Sequence, residues 1–84
     1  MYQAKYINPL FQYNKKVWRL VCTDDSGQLP ELVYEKEFMA NVTLSDMSEY
    51  ANNTISGYLA TLDPPQEQSL ITPNIDLPAG EELT

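Results

Sequence analysis

Carboxylates are the most abundant side chains in this sequence that could act as acids or bases, and histidine, the commonest general base, is absent. Without histidine, neither a Ser–His nor a Cys–His nucleophile pair can form. Glu31, Glu35 and Glu37 lie close together in the sequence and could supply one general acid and one general base. However, Glu35 and Glu37 have the spacing of an exposed strand face, which is typically solvated. We therefore predict that the protein is not an enzyme.

Two further features bear on metal binding and redox chemistry. Residues 24–27 (DDSG) have too few acids for a calcium loop and are typical of a turn, in which Gly27 is free to take a positive φ. Cys22 is the only cysteine and alternates in register with Trp18 and Leu20, which predicts a buried, unreactive thiol. A single cysteine forms neither an intramolecular disulfide nor a multi-cysteine metal site. We predict no cofactor and no metal site.

The net charge of −7 is distributed unevenly along the chain. All five basic residues lie in the first 36 positions, whereas residues 37–84 carry eight acids and no base. Such a field repels nucleic acid and anionic membranes and attracts basic protein surfaces. We expect a protein partner with a basic surface, no direct nucleic-acid binding and no membrane binding. With one cysteine and neither a signal peptide nor a membrane-spanning run, we expect a reducing cell interior or a virion.

Three segments alternate apolar and polar residues as β-strands do, namely 2–7 (YQAKYI), 17–23 (VWRLVCT) and 32–39 (LVYEKEFM). Residues 8–16 form either a second short strand or a continuation of the first strand with a kink at Pro9, and the sequence leaves both open. The second and third segments form a hairpin with a long loop.

The hairpin also predicts a cross-strand contact. When its apolar faces point to the same side, Arg19 lies on the outer face together with Glu35 and Glu37, where an ion pair can form.

Residues 45–63 predict an amphipathic helix. Its apolar arc contains Met47, Tyr50, Ala51, Ile55, Tyr58, Leu59 and Leu62. Its polar arc contains Glu49, Asn52, Asn53, Ser56, Gly57 and Asp63. Ser45 is a suitable N-cap, and Pro64 with Pro65 prevents continuation. The predicted fold class is α+β: a small antiparallel sheet of three or four strands covered on one face by a single amphipathic helix, with an extended C-terminal arm.

The composition changes after Asp63, where four of the six prolines and no aromatic residue occur. We predict one domain over residues 1–63, complete without the rest, and a Pro-rich acidic arm or tail over residues 64–84. Short apolar clusters separated by proline suit an arm that lies on a surface, its own or a partner's, with strand addition as one mode. Its candidate partner-binding residues are Leu70, Ile71, Ile75 and Leu77.

Two hypotheses of different functional classes follow. The first is a non-enzymatic protein-binding or assembly subunit, such as a small viral or phage structural component, which uses a sheet edge and the arm. The second is a small acidic phage-type inhibitor that mimics DNA phosphates and blocks a host nucleic-acid enzyme, in anti-defence or as a repair inhibitor. Glu35 and Glu37 are candidate contacts for a basic partner. The arrangement of the acids separates the hypotheses, since a mimic needs them on one ridge. A homo-oligomer remains compatible with either hypothesis.

The helix assignment gives a direct stability test. We expect Leu59→Ala to lower the free energy of unfolding by roughly 2 to 5 kcal/mol, because the change empties part of the core. Asn53→Ala, on the polar arc, should change it by at most about 0.5 kcal/mol. Thermal unfolding of both variants checks this, and an unaltered melting temperature for Leu59→Ala would show that the helix face is misassigned.

Overall fold

Four strands and one helix make up the fold in a computed structural model, which describes residues 1–8, 17–39 and 41–76. In chain order they are β1 (Tyr2–Ile7), β2 (Val17–Asp24), β3 (Leu32–Glu37), α1 (Leu44–Leu59) and β4 (Asn74–Asp76). The strands lie side by side in the order β3-β2-β1-β4. The first three pair antiparallel, whereas β4 pairs parallel with β1. The α+β fold class is confirmed, and the sheet is mixed because the chain returns beside β1 after the helix.

The core lies between one face of the sheet and α1. Strand alternation places Tyr2, Ala4 and Tyr6 of β1 on this face, fully or almost fully buried. The buried apolar residues are Tyr2, Ala4, Tyr6, Trp18, Leu20, Cys22, Leu32, Phe38, Val42, Met47, Ala51, Ile55 and Leu59. The predicted burial of Cys22 with Trp18 and Leu20 is confirmed. All seven residues of the predicted apolar arc of the helix are buried in the core or packed against it.

Two tyrosines of β1 fix the direction of α1 across the sheet. The Tyr6 hydroxyl donates a hydrogen bond to the Met47 carbonyl at 2.8 Å. The Tyr2 ring packs edge-on against Tyr58, with 6.1 Å between ring centres. The C-terminal end of β1 therefore contacts the N-terminal part of α1, and the N-terminal end of β1 contacts the C-terminal part of α1. The helix thus runs antiparallel to β1.

The helix begins one residue before the predicted N-cap. Thr43, not Ser45, is the N-cap, and it forms a capping box with Asp46. The Thr43 hydroxyl accepts from the Asp46 N–H, and the Asp46 carboxylate accepts from the Thr43 N–H. Ser45 cannot form this reciprocal pair, because the residue three positions after it is Ser48, which has no carboxylate or amide side chain.

The helix also ends earlier than predicted, at Leu59 instead of Asp63. The Tyr58 carbonyl accepts from the N–H of Thr61 at 3.0 Å and from its hydroxyl at 2.6 Å. These contacts tighten the chain into a turn before Pro64 is reached. The predicted apolar residue Leu62 therefore packs on the core from this turn.

The hairpin matches its prediction closely. β3 ends at Glu37 instead of Met39, although Phe38 is still buried. The predicted cross-strand ion pair is confirmed, with Arg19 Nη2 at 3.3 Å from Glu35 Oε1. Both side chains are exposed, so the pair contributes less than about 1 kcal/mol. The alternatives for residues 9–16 fall outside the described residues.

The start of the arm lies against the domain that the sequence predicts for residues 1–63. β4 pairs with residues 5–7 of β1. The Gln68 side-chain amide accepts from the Tyr2 N–H at 2.6 Å and donates to the Tyr2 carbonyl at 2.9 Å, as a paired strand would. The predicted strand addition is thus made by the chain to its own sheet. The division at Asp63 into two foldable parts stays a prediction.

A second contact to the arm comes from Asn52 of α1. The prediction that Asn52 lies on an exposed polar arc is wrong, because it is only 9 % exposed. Its amide donates to the Ile71 carbonyl at 2.8 Å and accepts from the Ile71 N–H at 3.0 Å. A polar residue is buried here because both of its polar atoms have partners.

The Asn52 contact predicts a contrast between neighbouring asparagines. Asn52→Ala should lower the free energy of unfolding by about 1 to 3 kcal/mol, because it removes both partners of the Ile71 backbone. Asn53→Ala, one residue further on an exposed position, is the matched control and should have little effect. Urea unfolding of both variants measures the difference. Equal stabilities would show that Asn52 does not hold the arm.

Candidate functional site

The two edges of the sheet differ in how they are covered. On the β1 side, β4 and the Gln68 side chain occupy the hydrogen-bonding edge of β1. β4 itself is only three residues long. On the opposite side, β3 has six residues and pairs only with β2 among the described residues. The outward backbone N–H and C=O groups of β3 therefore form the longest uncovered edge in this part of the chain.

Exposed apolar and acidic side chains lie along this edge. We call Val33, Tyr34, Glu35, Glu37 and Met39 the β3 surface. Val33 is 51 % exposed, Tyr34 38 % and Met39 77 %. A six-residue edge strand that also exposes large apolar side chains has the features of a strand-addition site for an extended segment.

The carboxylates predicted from the sequence are distributed along this strand and its entry, and they have different partners. Glu35 pairs with Arg19, whereas Glu37 is exposed opposite Val17 and has no ion pair with a described residue. Glu31, just before β3, accepts a long hydrogen bond of 3.5 Å from the Thr23 hydroxyl. Among the described residues, no contact links one of these three carboxylates to another.

The candidate residues of the arm are not brought together as one binding surface. Ile71 and Ile75 are partly buried and pack against the chain's own core. Leu70 points away from it and is 82 % exposed. Leu77 falls outside the described residues. Substituting Ile71 or Ile75 would therefore alter the fold as well as any partner contact. Of the four candidate residues, Leu70 is the one that the described part of the arm leaves exposed.

The cysteine is buried, as predicted. Cys22 has no exposed surface, and burial raises the pKa of its thiol to about 11. The thiolate that reacts with electrophiles or metals is therefore scarce at neutral pH. Across residues 1–8, 17–39 and 41–76, no three His, Cys, Asp or Glu side chains are grouped so that they could hold a metal ion. In the same ranges no helix is long and apolar enough to cross a membrane.

The predicted turn at residues 24–27 is organised by Asp24, whose role the sequence does not reveal. Its side chain is 1 % exposed and lies 2.8 Å from the Met1 ammonium group. The same carboxylate accepts from the Ser26 hydroxyl at 2.6 Å and from the Gln28 and Leu29 N–H groups at 3.1 Å each. Gly27 has φ +74°, as its position in the turn predicts. The carboxylate thus closes the turn and anchors the start of β1.

These contacts shift the pKa values of both partners. Hydrogen bonds from the Met1 ammonium and from Ser26 hold the pKa of Asp24 far below its usual range. Hydrogen bonds to Asp24 and Asp25 raise the pKa of the Met1 ammonium. The charged forms of both groups are therefore favoured in the folded state.

Two shallow cavities lie beside the arm. One, of about 330 Å³, is on the outer sheet face and is lined by Lys5, Val21, Thr23 and Asn74 among others. The other, of about 280 Å³, lies between Tyr2 and residues 66–69.

The Asp24 contacts predict a pH dependence of stability. Asp24 contributes fully to the free energy of unfolding above about pH 4, the pKa of its carboxyl in the unfolded chain. This contribution is lost as the pH falls, because the pKa is lowered in the folded state. The Met1 ammonium contributes fully to the free energy of unfolding below about pH 8, its pKa in the unfolded chain. This contribution is lost as the pH rises through the higher pKa that the group has in the folded state. The stability difference between the parent and Asp24→Asn should therefore be largest near pH 6 and smaller at pH 3 and pH 10.

Urea unfolding at the three pH values, with a free Met1 amino group, measures this difference. Asp25→Asn is the matched control, because it leaves the Asp24 contacts in place. A difference that does not change with pH would contradict the assignment.

No protein-family model, curated protein or solved structure matches the chain.

Proposed function

We propose that the protein is a non-enzymatic protein-binding or assembly subunit that engages its partner through the β3 surface. The observation that carries the proposal is the six-residue edge of β3, which is uncovered in the described part of the chain and has exposed Val33, Tyr34 and Met39 beside it. Edge strands of natural proteins are usually short, covered or heavily charged, because an open edge pairs with other chains. β3 is itself charged, since Glu35, Lys36 and Glu37 make up half of its residues. The apolar area that stays exposed beside these charges is the part that is consistent with a binding role.

The opposite edge supports this assignment by contrast. There the chain uses Gln68, Asn52 and β4 to hold its own arm against β1. The arm is thus engaged within the molecule, and of its candidate residues Leu70 remains exposed. We therefore expect a partner to bind the β3 surface. Leu70 would add contact area only if the same partner also reached the arm.

The distribution of acids favours an assembly role over a DNA mimic. The carboxylates of Asp24, Asp25, Glu35 and Asp46 each have a partner within the chain. They are distributed over the sheet and the start of the helix, whereas a phosphate mimic needs free carboxylates on one ridge. Glu37 and other exposed acids remain available to attract a basic partner. The inhibitor hypothesis therefore becomes an outcome of the test, not the leading proposal.

Site-specific photocrosslinking tests the proposal. A photoreactive phenylalanine analogue replaces Tyr34 on the β3 surface, and the same analogue replaces Asn53 on the exposed helix face as the matched control. We expect irradiation in the cells that make the protein to give a discrete adduct from position 34 and none from position 53. The cause is that only position 34 lies at an edge open to strand addition.

Mass spectrometry of the adduct identifies the crosslinked segment. A protein other than a nucleic-acid enzyme supports the assembly role, and a basic groove of such an enzyme supports the inhibitor hypothesis. Equal adducts from positions 34 and 53, or none from position 34, would contradict a role for the β3 surface.

A further inference from the structure

We propose that the occupant of the β3 surface is an extended segment of a partner protein in which basic and apolar residues alternate. This inference rests on the proposed function and adds the chemistry of the partner. The segment would lie beside β3 as a further strand, and its backbone would pair with the outward groups of the edge. Its successive side chains would then point alternately to the two faces of the sheet.

The outer face of β3 selects basic side chains. Strand alternation and the pairing with β2 place Val33, Glu35 and Glu37 on this face. Glu37 has no ion pair with a described residue, and Glu35 is 58 % exposed beside Arg19. A side chain on the neighbouring strand lies about 5 Å away in Cβ separation, so Lys or Arg there is within reach of both carboxylates.

The helix-facing side of β3 selects apolar side chains. Tyr34 is 38 % exposed on this side. Its neighbour Lys36 has its Nζ 5.5 Å from the centre of the Tyr50 ring. A second cation placed here would be repelled by Lys36, whereas an apolar side chain would cover the exposed part of Tyr34. The two sides together require alternation of basic and apolar residues along one strand.

The same charges disfavour a second copy of this chain as the occupant. Parallel pairing of two β3 strands in register places Glu35 and Glu37 beside their own copies. Antiparallel pairing centred on Glu35 places that residue opposite itself, and like charges directly opposite are destabilising. Each chain also carries a net charge of −7, which opposes approach.

Designed peptides test the partner chemistry directly. The probe is a fluorescent octapeptide of alternating Lys and Val. It is compared with an alternating Glu and Val octapeptide and with a block peptide of four Lys followed by four Val. Fluorescence anisotropy measures the affinities at low and moderate salt. We expect the alternating basic peptide to bind at least about tenfold tighter than either comparison peptide, because only it matches charge and alternation together.

Matched protein variants locate the binding to β3. Glu35→Gln with Glu37→Gln should weaken binding of the basic peptide several-fold, chiefly at low salt. Asp63→Asn with Glu67→Gln changes the net charge equally near the opposite end of the helix and should have little effect. Backbone N-methylation of alternate residues blocks pairing on one edge of the peptide. Methylation of one of the two alternating sets should therefore weaken binding, and methylation of the other set should not.

Several results would overturn the inference. Tight binding of the acidic or block peptide, equal losses in both variant pairs, or tolerance of N-methylation of both alternating sets would each show that the edge does not select an alternating basic strand. An adduct from position 34 that joins two copies of this chain would exclude a foreign partner. A partner adduct from position 34 combined with any of the peptide failures would leave the proposed function standing, so the two proposals fail separately.

Discussion

The fold depends on the buried hydroxyl of Tyr6. The residue has no exposed surface, so its hydroxyl must find a partner inside the protein, and an unmet hydrogen bond there would cost about 1 to 3 kcal/mol. The Met47 carbonyl supplies that partner at 2.8 Å. The ring of Tyr6 also packs edge-on against Trp18 and Phe38, at 6.4 and 5.8 Å between centres. One side chain of the inner strand β1 thus fixes the helix over the sheet and joins β2 to the segment after β3.

The arm is held by a different kind of contact. Two side-chain amides, those of Asn52 and Gln68, each bind both backbone groups of one residue, Ile71 and Tyr2 respectively. Each amide takes the place of a strand neighbour, so the arm is fixed although β4 has only three residues. Partial burial of Ile71 and Ile75 on the core adds apolar contact area to these directional bonds. The β1 edge is therefore occupied from within the chain.

The strands and the helix could be predicted because each buries one face. Apolar residues therefore recur about every two residues in a strand and about every 3.6 residues in a helix. The N-cap prediction was wrong although the sequence contains the signal, and the position of the arm has no such signal. Thr43 and Ser45 are both acceptable N-caps, and only the position of Asp46 three residues after Thr43 distinguishes them. Asn52 lies on the polar side of the wheel, and no periodic signal shows that a distant backbone will reach it. Glu35 and Glu37 were predicted on the outer face, whereas the contrast between the two edges follows from long-range pairing alone.

Under the proposed function, the open edge of β3 gives a physical reason for the position of Glu35 and Glu37. An edge that carries only apolar side chains would pair with any exposed strand, including another copy of itself. β3 instead combines exposed Val33 and Tyr34 with Glu35 and Glu37 on the same six residues. The apolar side chains make pairing favourable, and the carboxylates make pairing with the protein's own acidic copies unfavourable. Acidity and an open edge are therefore compatible with one role, since the charge restricts which strands the edge can accept.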